Sequence, residues 1–289
     1  MENSRILPEF DLLLPVSVAE AVKMLSTYKD KASVMAGGTD IIVSATQGFA
    51  SPYVISLAKI KELAYIIFDK AKGLRIGAMT TLQKLADSPV VRKEYPALWK
   101  SAAINGTGQT RNMGTAVGNI MRASPSGDCA CAVLALGGTL VLQSAAGMRE
   151  VNVDEFFIGY KKTARKPDEL AVELKFPPPA AASKSAFNRI TRTTLDLSKV
   201  NCAVSLQMKG ATCSSARIAM GAVAPVTLRL KESEELLKGK KITDALLSKV
   251  AASVGSQISP IDDVRSSAEY RRDVSGVVVK RTIQESIAQ

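Results

Sequence analysis

The chain has 289 residues, which at about 150 residues per domain predicts two domains, or one body with several lobes. Hydrophobic residues make up 46% of it and charged residues 22%, proportions that exclude disorder and fibrous repeats for the whole chain. The formal net charge is +11. The chain has no histidine, and this absence excludes Ser-His-Asp catalysis, Cys-His catalysis and His-ligated zinc.

Residues 1–57 predict a small α/β unit. Ser17 and Glu20 form a capping box, in which the hydroxyl and the carboxylate satisfy free amides at the start of a helix. Apolar residues then follow at helical spacing. The run at 32–36 predicts a strand that ends in a glycine turn, and 53–57 predicts the next strand.

Residues 58–177 predict a second α/β unit, which is rich in glycine. Ser124 and Pro125 suit an N-cap followed by proline in the first helical turn. The predicted elements are a strand at 74–77, helices at 81–87 and 97–103, a helix from Ser124-Pro125 to Gly137-Gly138, a hairpin of 139–143 and 148–153, and a strand at 169–176.

A proline-rich stretch at 177–183 predicts a boundary, because it continues neither a sheet nor a helix easily. Strands at 186–191, 200–208 and 216–223 follow, and then helices at 231–237, 242–254 and 268–287. The predicted fold class is α+β: a two-lobed α/β unit over 1–57 and 58–177, then a C-terminal α+β lobe over 178–289 with a small antiparallel sheet and helices.

The first of two glycine-containing patches is Met35-Ala36-Gly37-Gly38-Thr39-Asp40-Ile41, at a strand-to-helix turn. Glycine lets the backbone approach a ligand closely, and consecutive amides at such a turn can hold an anion. A following helix would add a favourable dipole. The alternative is a turn that only connects two elements.

The second patch runs from Asn112 to Asn119 and is followed by Ser124-Pro125-Ser126-Gly127-Asp128. It offers small residues, hydroxyls, amides and one carboxylate. Neither patch fits the P-loop, because no lysine follows the glycines, and the Rossmann spacing G-x-G-x-x-G is absent. Two separate anion cradles suit a ligand with a central pyrophosphate, such as FAD.

The cysteines are Cys129, Cys131, Cys202 and Cys213, and none are spaced as C-x-x-C. Metal sites made of thiolates usually show closely repeated cysteine pairs, so buried, reduced thiols are favoured over an iron–sulfur or zinc site. The apolar runs are too short for a membrane span, and the N-terminus does not resemble a signal peptide. We therefore expect no membrane span and a cytoplasmic location.

The positive charge is concentrated toward the C-terminus, where residues 181–289 hold 17 Lys or Arg against 10 Asp or Glu. Nucleic acid, an acidic protein partner and simple solubility are all compatible with such an excess. Few aromatic residues and no base-reading motif argue against nucleic acid. We expect this excess of positive charge to serve subunit assembly. The alternative is that these charged side chains only face solvent.

Several motifs, in their order along the chain, resemble the FAD-binding medium subunit of the molybdenum hydroxylases, the group of xanthine, carbon monoxide and nicotinate dehydrogenases. The resemblance covers almost the whole chain. The motifs are Ala36-Gly37-Gly38-Thr39-Asp40, residues 76–82, residues 114–119, residues 123–128, residues 159–163, residues 167–170, residues 221–225 and Tyr270-Arg271-Arg272.

The resemblance implies that FAD lies between the two α/β lobes. Residues 35–41 would wrap the pyrophosphate, and residues 115–119 would support the diphosphate and ribityl chain from the other side. Asp128 matches a carboxylate that hydrogen-bonds the cofactor. The residues assigned to the cofactor in this way are Met35, Ala36, Gly37, Gly38, Thr39, Asp40, Ile41, Thr115, Ala116, Gly118, Asn119, Ser124, Asp128, Ala171 and Val172.

The implied function is electron transfer. A molybdopterin-binding large subunit would hydroxylate the substrate, a small subunit would relay electrons through [2Fe–2S] clusters, and non-covalent FAD on this chain would pass them to an acceptor such as NAD. No side chain here is expected to be catalytic, and no metal is expected on this chain. One alternative is a self-contained FAD-dependent oxidoreductase with its own substrate pocket, in which Tyr160 or Asp40 could handle protons. Another is a basic binding module without redox chemistry.

Two positions depart from the family pattern. Val117 stands where the family usually has the first of two glycines, so we expect a narrower turn. Asn188 stands where some relatives carry lysine near the flavin, and its amide cannot supply that positive charge. The resemblance therefore carries no flavin-tuning role over to Asn188.

Overall fold

A computed structural model describes residues 7–48 and 50–288. The first unit is a three-stranded parallel sheet in the order β1-β3-β2, made of β1 (Asp11–Leu13), β2 (Ala32–Met35) and β3 (Tyr53–Ser56). Helix α1 (Val18–Tyr28) connects β1 to β2, and α2 (Ile41–Ala45) follows β2. Because parallel strands need a crossover, each strand is separated from the next by a helix.

Helix α1 begins as the sequence predicts. The Ser17 side chain accepts a hydrogen bond from the amide of Glu20 at 3.2 Å. Glu20 Oε2 accepts from the amide of Val16 at 2.6 Å, one residue before the position expected of a capping box. The helix buries Ala21, Val22 and Leu25 in the core.

The second unit is a five-stranded antiparallel sheet in the order β4-β5-β10-β6-β7. Its strands are β4 (Ile66–Asp69), β5 (Gly73–Gly77), β6 (Thr139–Ser144), β7 (Gly147–Asn152) and β10 (Leu170–Phe176). A two-stranded ribbon, β8 (Phe157–Gly159) with β9 (Lys162–Thr163), precedes β10. The predicted hairpin is present as β6 and β7, and β4, β8 and β9 were not predicted.

Six helices lie between β5 and β6. They are α3 (Leu82–Ala86), α4 (Pro89–Glu94), α5 (Pro96–Ala103), α6 (Gly108–Met113), α7 (Ala116–Arg122) and α8 (Asp128–Leu136). The predicted start of α8 at Ser124-Pro125 is wrong, because Gly127 is its N-cap. The Pro125 carbonyl instead accepts a hydrogen bond from the Ala222 amide at 2.6 Å. The turn before α8 is therefore held by the C-terminal part of the chain.

The C-terminal part contains an antiparallel sheet covered by helices. Its strands are β11 (Ser183–Ile190), β12 (Val200–Lys209), β13 (Thr212–Gly221), β14 (Leu228–Arg229) and β15 (Lys240–Lys241). Its helices are α9 (Lys231–Leu237), α10 (Asp244–Ser253) and α11 (Ala268–Ala288). Apart from the two-residue strand β15, which lies between α9 and α10, this matches the predicted order of strands followed by helices, and the α+β class is confirmed.

The apolar residues form two cores. The larger core contains side chains from both α/β units, so these units are packed together, and it reaches the C-terminal sheet through Phe187, Ala203 and Ala219. The second core lies between the C-terminal sheet and α9 to α11. No helix among the residues described here has the length and apolar character needed to cross a bilayer.

Candidate functional site

A cavity of about 410 Å³ lies where the first sheet, α7 and the segment before β10 meet. Edge strand β2 and the turn after it form one wall. The lining residues are Ala32, Ser33, Val34, Met35, Ala36, Gly37, Gly38, Thr39, Asp40, Ile41, Ser44, Leu57, Ala78, Leu82, Asn105, Gly114, Thr115, Val117, Gly118, Asn119, Met121, Arg122, Lys161, Arg165, Glu169, Leu170 and Ala171.

The glycine turn after β2 packs tightly against the end of α6. A Cβ on Gly37 would lie 1.7 Å from the carbonyl oxygen of Met113, so only glycine fits. Gly38 has a φ of 74°, a left-handed conformation that favours glycine. A Cβ on Gly114 would lie 3.3 Å from Thr39 Oγ1. The two glycine patches identified in the sequence therefore meet in space.

The backbone amides of this turn are available to a ligand. Among residues 7–48 and 50–288, no acceptor receives a hydrogen bond from any of the consecutive amides of residues 37–41. The carbonyl oxygens of Gly38 and Asp40 accept from the amides of Ile42 and Ser44, at 3.2 and 2.9 Å, at the start of α2. Such a run of unpaired amides is a donor set suited to an anion.

The second glycine patch forms the start of α7. Thr115 is its N-cap, and its Oγ1 accepts a hydrogen bond from the Gly118 amide at 2.9 Å. A Cβ on Gly118 would lie 2.9 Å from the same oxygen, so the turn is tight there. Asn119 Oδ1 accepts from the Ala130 amide at 3.2 Å, which ties α7 to α8. The patch is a rigid wall of the cavity.

The segment before β10 contributes charged groups to the lining. Glu169 is buried and forms a two-point ion pair with Arg149, with N–O distances of 2.5 and 2.8 Å. Burial raises the pKa of Glu169, but the hydrogen bonds from Arg149 and from the Lys166 amide outweigh it and lower the pKa overall. Arg165 Nη1 donates to three carbonyl oxygens of this segment. Glu169 is therefore an ionised, fully paired carboxylate.

One ion pair joins two walls of the cavity. Arg122, in the last turn of α7, places its Nε 3.3 Å from Asp40 Oδ1. Asp40 is the N-cap residue of α2, but its side chain makes no capping hydrogen bond. The pair thus links the glycine turn to α7.

The structure brings most of the predicted cofactor residues to this cavity, and four of them lie elsewhere. Residues 35–41, Thr115, Gly118, Asn119 and Ala171 are in the lining. Ala116 and Val172 are buried in the core beside the lining. Ser124 makes a 3.2 Å contact with Ser126 in the turn before α8, outside the lining. The cofactor role of each of these residues stays a prediction.

Asp128 is the most distinct of the four. Its carboxylate is buried and accepts hydrogen bonds from Arg189 at 2.6 Å, Ser198 at 2.6 Å and Asn201 at 2.7 Å. All three partners belong to the C-terminal sheet and its loop. The carboxylate thus joins the start of α8 to the C-terminal part of the chain. Asp128 is not in the cavity lining, so the cavity gives no support for a direct contact with a cofactor.

The two departures from the family pattern have different surroundings. Val117 lines the cavity and is only 3% exposed, so its side chain occupies volume next to the ligand site. Asn188 lies outside the lining, where its amide donates to Glu285 at 2.7 Å and accepts from Lys100 at 3.3 Å. Asn188 thus links β11 to α5 and α11.

Sequence reasoning did not assign Arg122, Lys161, Arg165 or Glu169 to the cofactor. The sequence could have indicated Arg122, because it follows Gly118 by four residues and therefore lies on the same face of α7. Arg165 and Glu169 are far from both glycine patches along the chain. Only the packing of the segment before β10 brings them to the cavity.

The residues present fit a cofactor with a diphosphate. The unpaired amides of residues 37–41, the hydroxyl of Thr39 and three cationic side chains all line one cavity. Hydrogen bonds between such donors and an anion are the stronger, charge-assisted kind. Because glycine has no side chain, the backbone of the turn after β2 itself forms this wall of the cavity.

Comparison with known proteins gives the same picture. Residues 8–179 match the family model described as the FAD binding domain in molybdopterin dehydrogenase, and residues 185–286 match the CO dehydrogenase flavoprotein C-terminal domain. The carbon monoxide dehydrogenase medium chain of Hydrogenophaga pseudoflava is 32% identical over 98% of both chains. The glyceraldehyde dehydrogenase medium chain of Sulfolobus acidocaldarius is 31% identical over 96% of this chain and 98% of that one.

The fold agrees with a solved relative. The structure of carbon monoxide dehydrogenase from Hydrogenophaga pseudoflava that lacks the Mo-pyranopterin moiety superposes with a TM-score of 0.94 and 33% identity, covering 98% of this chain and 99% of that chain. The resemblance drawn from the motifs is therefore confirmed. The chain belongs to the family of FAD-binding medium subunits of the molybdopterin dehydrogenases.

Proposed function

We propose that this chain binds FAD non-covalently in the cavity and acts as the electron-transfer subunit of a molybdenum-containing hydroxylase. The observation that carries the proposal is the donor set of the cavity. Residues 37–41, whose consecutive amides are unpaired among the described residues, line a cavity that Arg122, Lys161 and Arg165 also line, in a chain of the FAD-binding family.

The protein's part in this function is binding and electrostatics. The amides of residues 37–41 hold the diphosphate. Thr115, Gly118 and Asn119 form the wall of its site on the α7 side. The lining cations offset its negative charge. FAD, when bound, supplies the capacity to exchange one or two electrons.

The ionisable groups of the cavity favour an electron relay over a self-contained oxidoreductase. Glu169 is held ionised by Arg149, and the Asp40 side chain is 60% exposed to water. The chain has no histidine. A site that abstracted a proton from its own substrate would need a base set apart from water and from counter-charges, which neither carboxylate is.

We further propose that the partners are a molybdopterin-binding large subunit and a small subunit with [2Fe–2S] clusters, and that the final acceptor is a soluble carrier such as NAD. The full-length similarity to medium chains of two dehydrogenases with different named substrates supports this division of labour. We also propose three lobes at 1–57, 58–177 and 178–289, because each sheet falls within one of these ranges. Free cysteines support a cytoplasmic location.

The test has two stages. The purified chain, mixed with FAD and desalted, should keep a flavin absorbance spectrum and release FAD on denaturation, which shows non-covalent binding. Under anaerobic conditions the loaded chain should be bleached by dithionite or NADH and stay oxidised with aldehydes or N-heterocycles. Failure to bind FAD would refute the proposal, and bleaching by an organic substrate alone would favour the self-contained oxidoreductase.

Co-purification from the native source tests the partners. Mass spectrometry of the intact complex should find a molybdopterin-containing chain and an iron–sulfur chain. A lone, stable chain after gentle purification would count against subunit assembly.

A further inference from the structure

The cavity lining contains more cationic side chains than anionic ones. Arg122, Lys161 and Arg165 line it together with two carboxylates, Asp40 and Glu169. Glu169 is already neutralised by Arg149, which lies outside the lining. The cavity therefore has a net positive charge, as a site for a diphosphate requires.

Arg122 is held less firmly than the other cavity arginine. Among the described parts of the chain, 7–48 and 50–288, the Arg122 side chain hydrogen-bonds only to Asp40, through a single 3.3 Å contact of its Nε. The two terminal nitrogens of the guanidinium have no acceptor among these residues. Arg165, in contrast, is fixed by three carbonyl oxygens.

The carboxylate on the other side of this pair is also weakly held. The Asp40 side chain is 60% exposed, whereas that of Glu169 is 5% exposed. Exposed ion pairs are worth little because water screens them, so the Asp40–Arg122 pair can exchange partners. A diphosphate held at the amides of residues 37–41 would lie next to Asp40 in the same turn, and it offers two charges and several acceptor oxygens.

We propose that Arg122 is an exchangeable cation: it pairs with Asp40 in the cofactor-free protein and turns to the diphosphate of FAD when the cofactor binds. Asp40 then competes with the cofactor for Arg122. This inference rests on the proposed FAD binding and assigns opposite effects to the two partners. Arg122 strengthens binding, and Asp40 weakens it.

The test measures the Kd for FAD by quenching of flavin fluorescence in Arg122→Gln, Asp40→Asn and the double variant. Arg122→Gln should raise the Kd about ten-fold, since it removes a charge-assisted contact. Asp40→Asn should lower the Kd about two- to five-fold, since it releases Arg122 from a weak pair and removes a nearby negative charge. In the Arg122→Gln background the gain from Asp40→Asn should be smaller.

A matched control pair is Lys238→Gln and Glu235→Gln. These side chains form an exposed ion pair at 3.2 Å on α9, outside the cavity, and their substitution should leave the Kd unchanged. They change the net charge in the same way as Arg122→Gln and Asp40→Asn do. A shift of the Kd in the controls equal to that in the test variants would overturn the proposal, because net charge alone would then explain it.

The outcomes separate this inference from the proposed function. If the wild-type chain does not bind FAD, the proposed function fails. If it binds FAD and both Arg122→Gln and Asp40→Asn weaken binding, or either leaves it unchanged, the exchange is refuted, because a fixed structural bridge would make the two partners act alike. If Arg122→Gln does not fold, as judged by circular dichroism, Asp40→Asn decides alone: tighter binding supports the exchange, and any other result overturns it.

Discussion

Gly37→Ala is the substitution for which the structure gives the clearest expectation. The added methyl group would lie 1.7 Å from the carbonyl oxygen of Met113, a backbone atom that no side-chain rotation can move. Ordinary contact begins near 3.4 Å, so the turn or the end of α6 must move by about 1.7 Å. The turn carries the unpaired amides of residues 37–41 at the cavity wall, and we expect these amides to move with it.

A displacement of this size breaks hydrogen bonds. An N–H···O bond has its optimum near 2.9 Å and is lost within about 0.6 Å of lengthening. Each bond to a charged group contributes about 1.5–3 kcal/mol, so the loss of one such bond should raise the Kd for FAD roughly 10- to 150-fold. The fold should survive with a loss of stability, because the rest of both cores is unchanged.

The assay is titration of the apoprotein with FAD, monitored by flavin fluorescence, beside urea unfolding to verify the fold. Gly255→Ala is the matched control, because a Cβ there meets no atom within 4 Å and FAD affinity should be unchanged. A folded Gly37→Ala protein with wild-type affinity would refute the assignment of the diphosphate to this turn.

Three further results are expected. Asp128→Ala leaves the buried Arg189 guanidinium without its carboxylate, so urea unfolding should show a loss of about 3 kcal/mol; a loss below about 1 kcal/mol would contradict this. Burial raises the pKa of the Cys129 thiol to about 12, and the other three cysteines are also buried, so Ellman's reagent at pH 8 should find no reactive thiol until the protein unfolds. Burial and the hydrogen bond to Glu173 raise the pKa of Tyr65 from 10.0 to about 12, so the free energy of unfolding should fall as the pH rises from about 10 to 12, and less steeply in Tyr65→Phe.

The fall in the free energy of unfolding follows from the number of protons that the folded and unfolded chains bind. Between these two pKa values the unfolded chain has lost the Tyr65 proton and the folded chain retains it. Stability therefore decreases with pH in this window and is unaffected by this group below it. A steeper fall in Tyr65→Phe than in the wild-type chain would show that the hydrogen-bonded phenol is not the cause.

The sequence by itself determined the features that depend on near neighbours along the chain. Ser17 caps α1, and α8 ends at Gly137 in the left-handed conformation, because both events involve groups within a few residues. The hairpin of β6 and β7 and the order of strands and helices after residue 183 follow from local patterns in the same way. The ordered motifs were sufficient to identify the family.

The tertiary structure decided which distant groups meet. The contact of Gly37 with Met113, the pair of Arg122 with Asp40 and the approach of Glu169 to the cavity join segments far apart in the chain. The start of α8 also depended on a residue far along the chain, because the amide of Ala222 donates a hydrogen bond to the carbonyl of Pro125 in the turn before this helix. Periodicity and capping describe interactions over about four residues, whereas partners such as these are chosen by how whole elements pack.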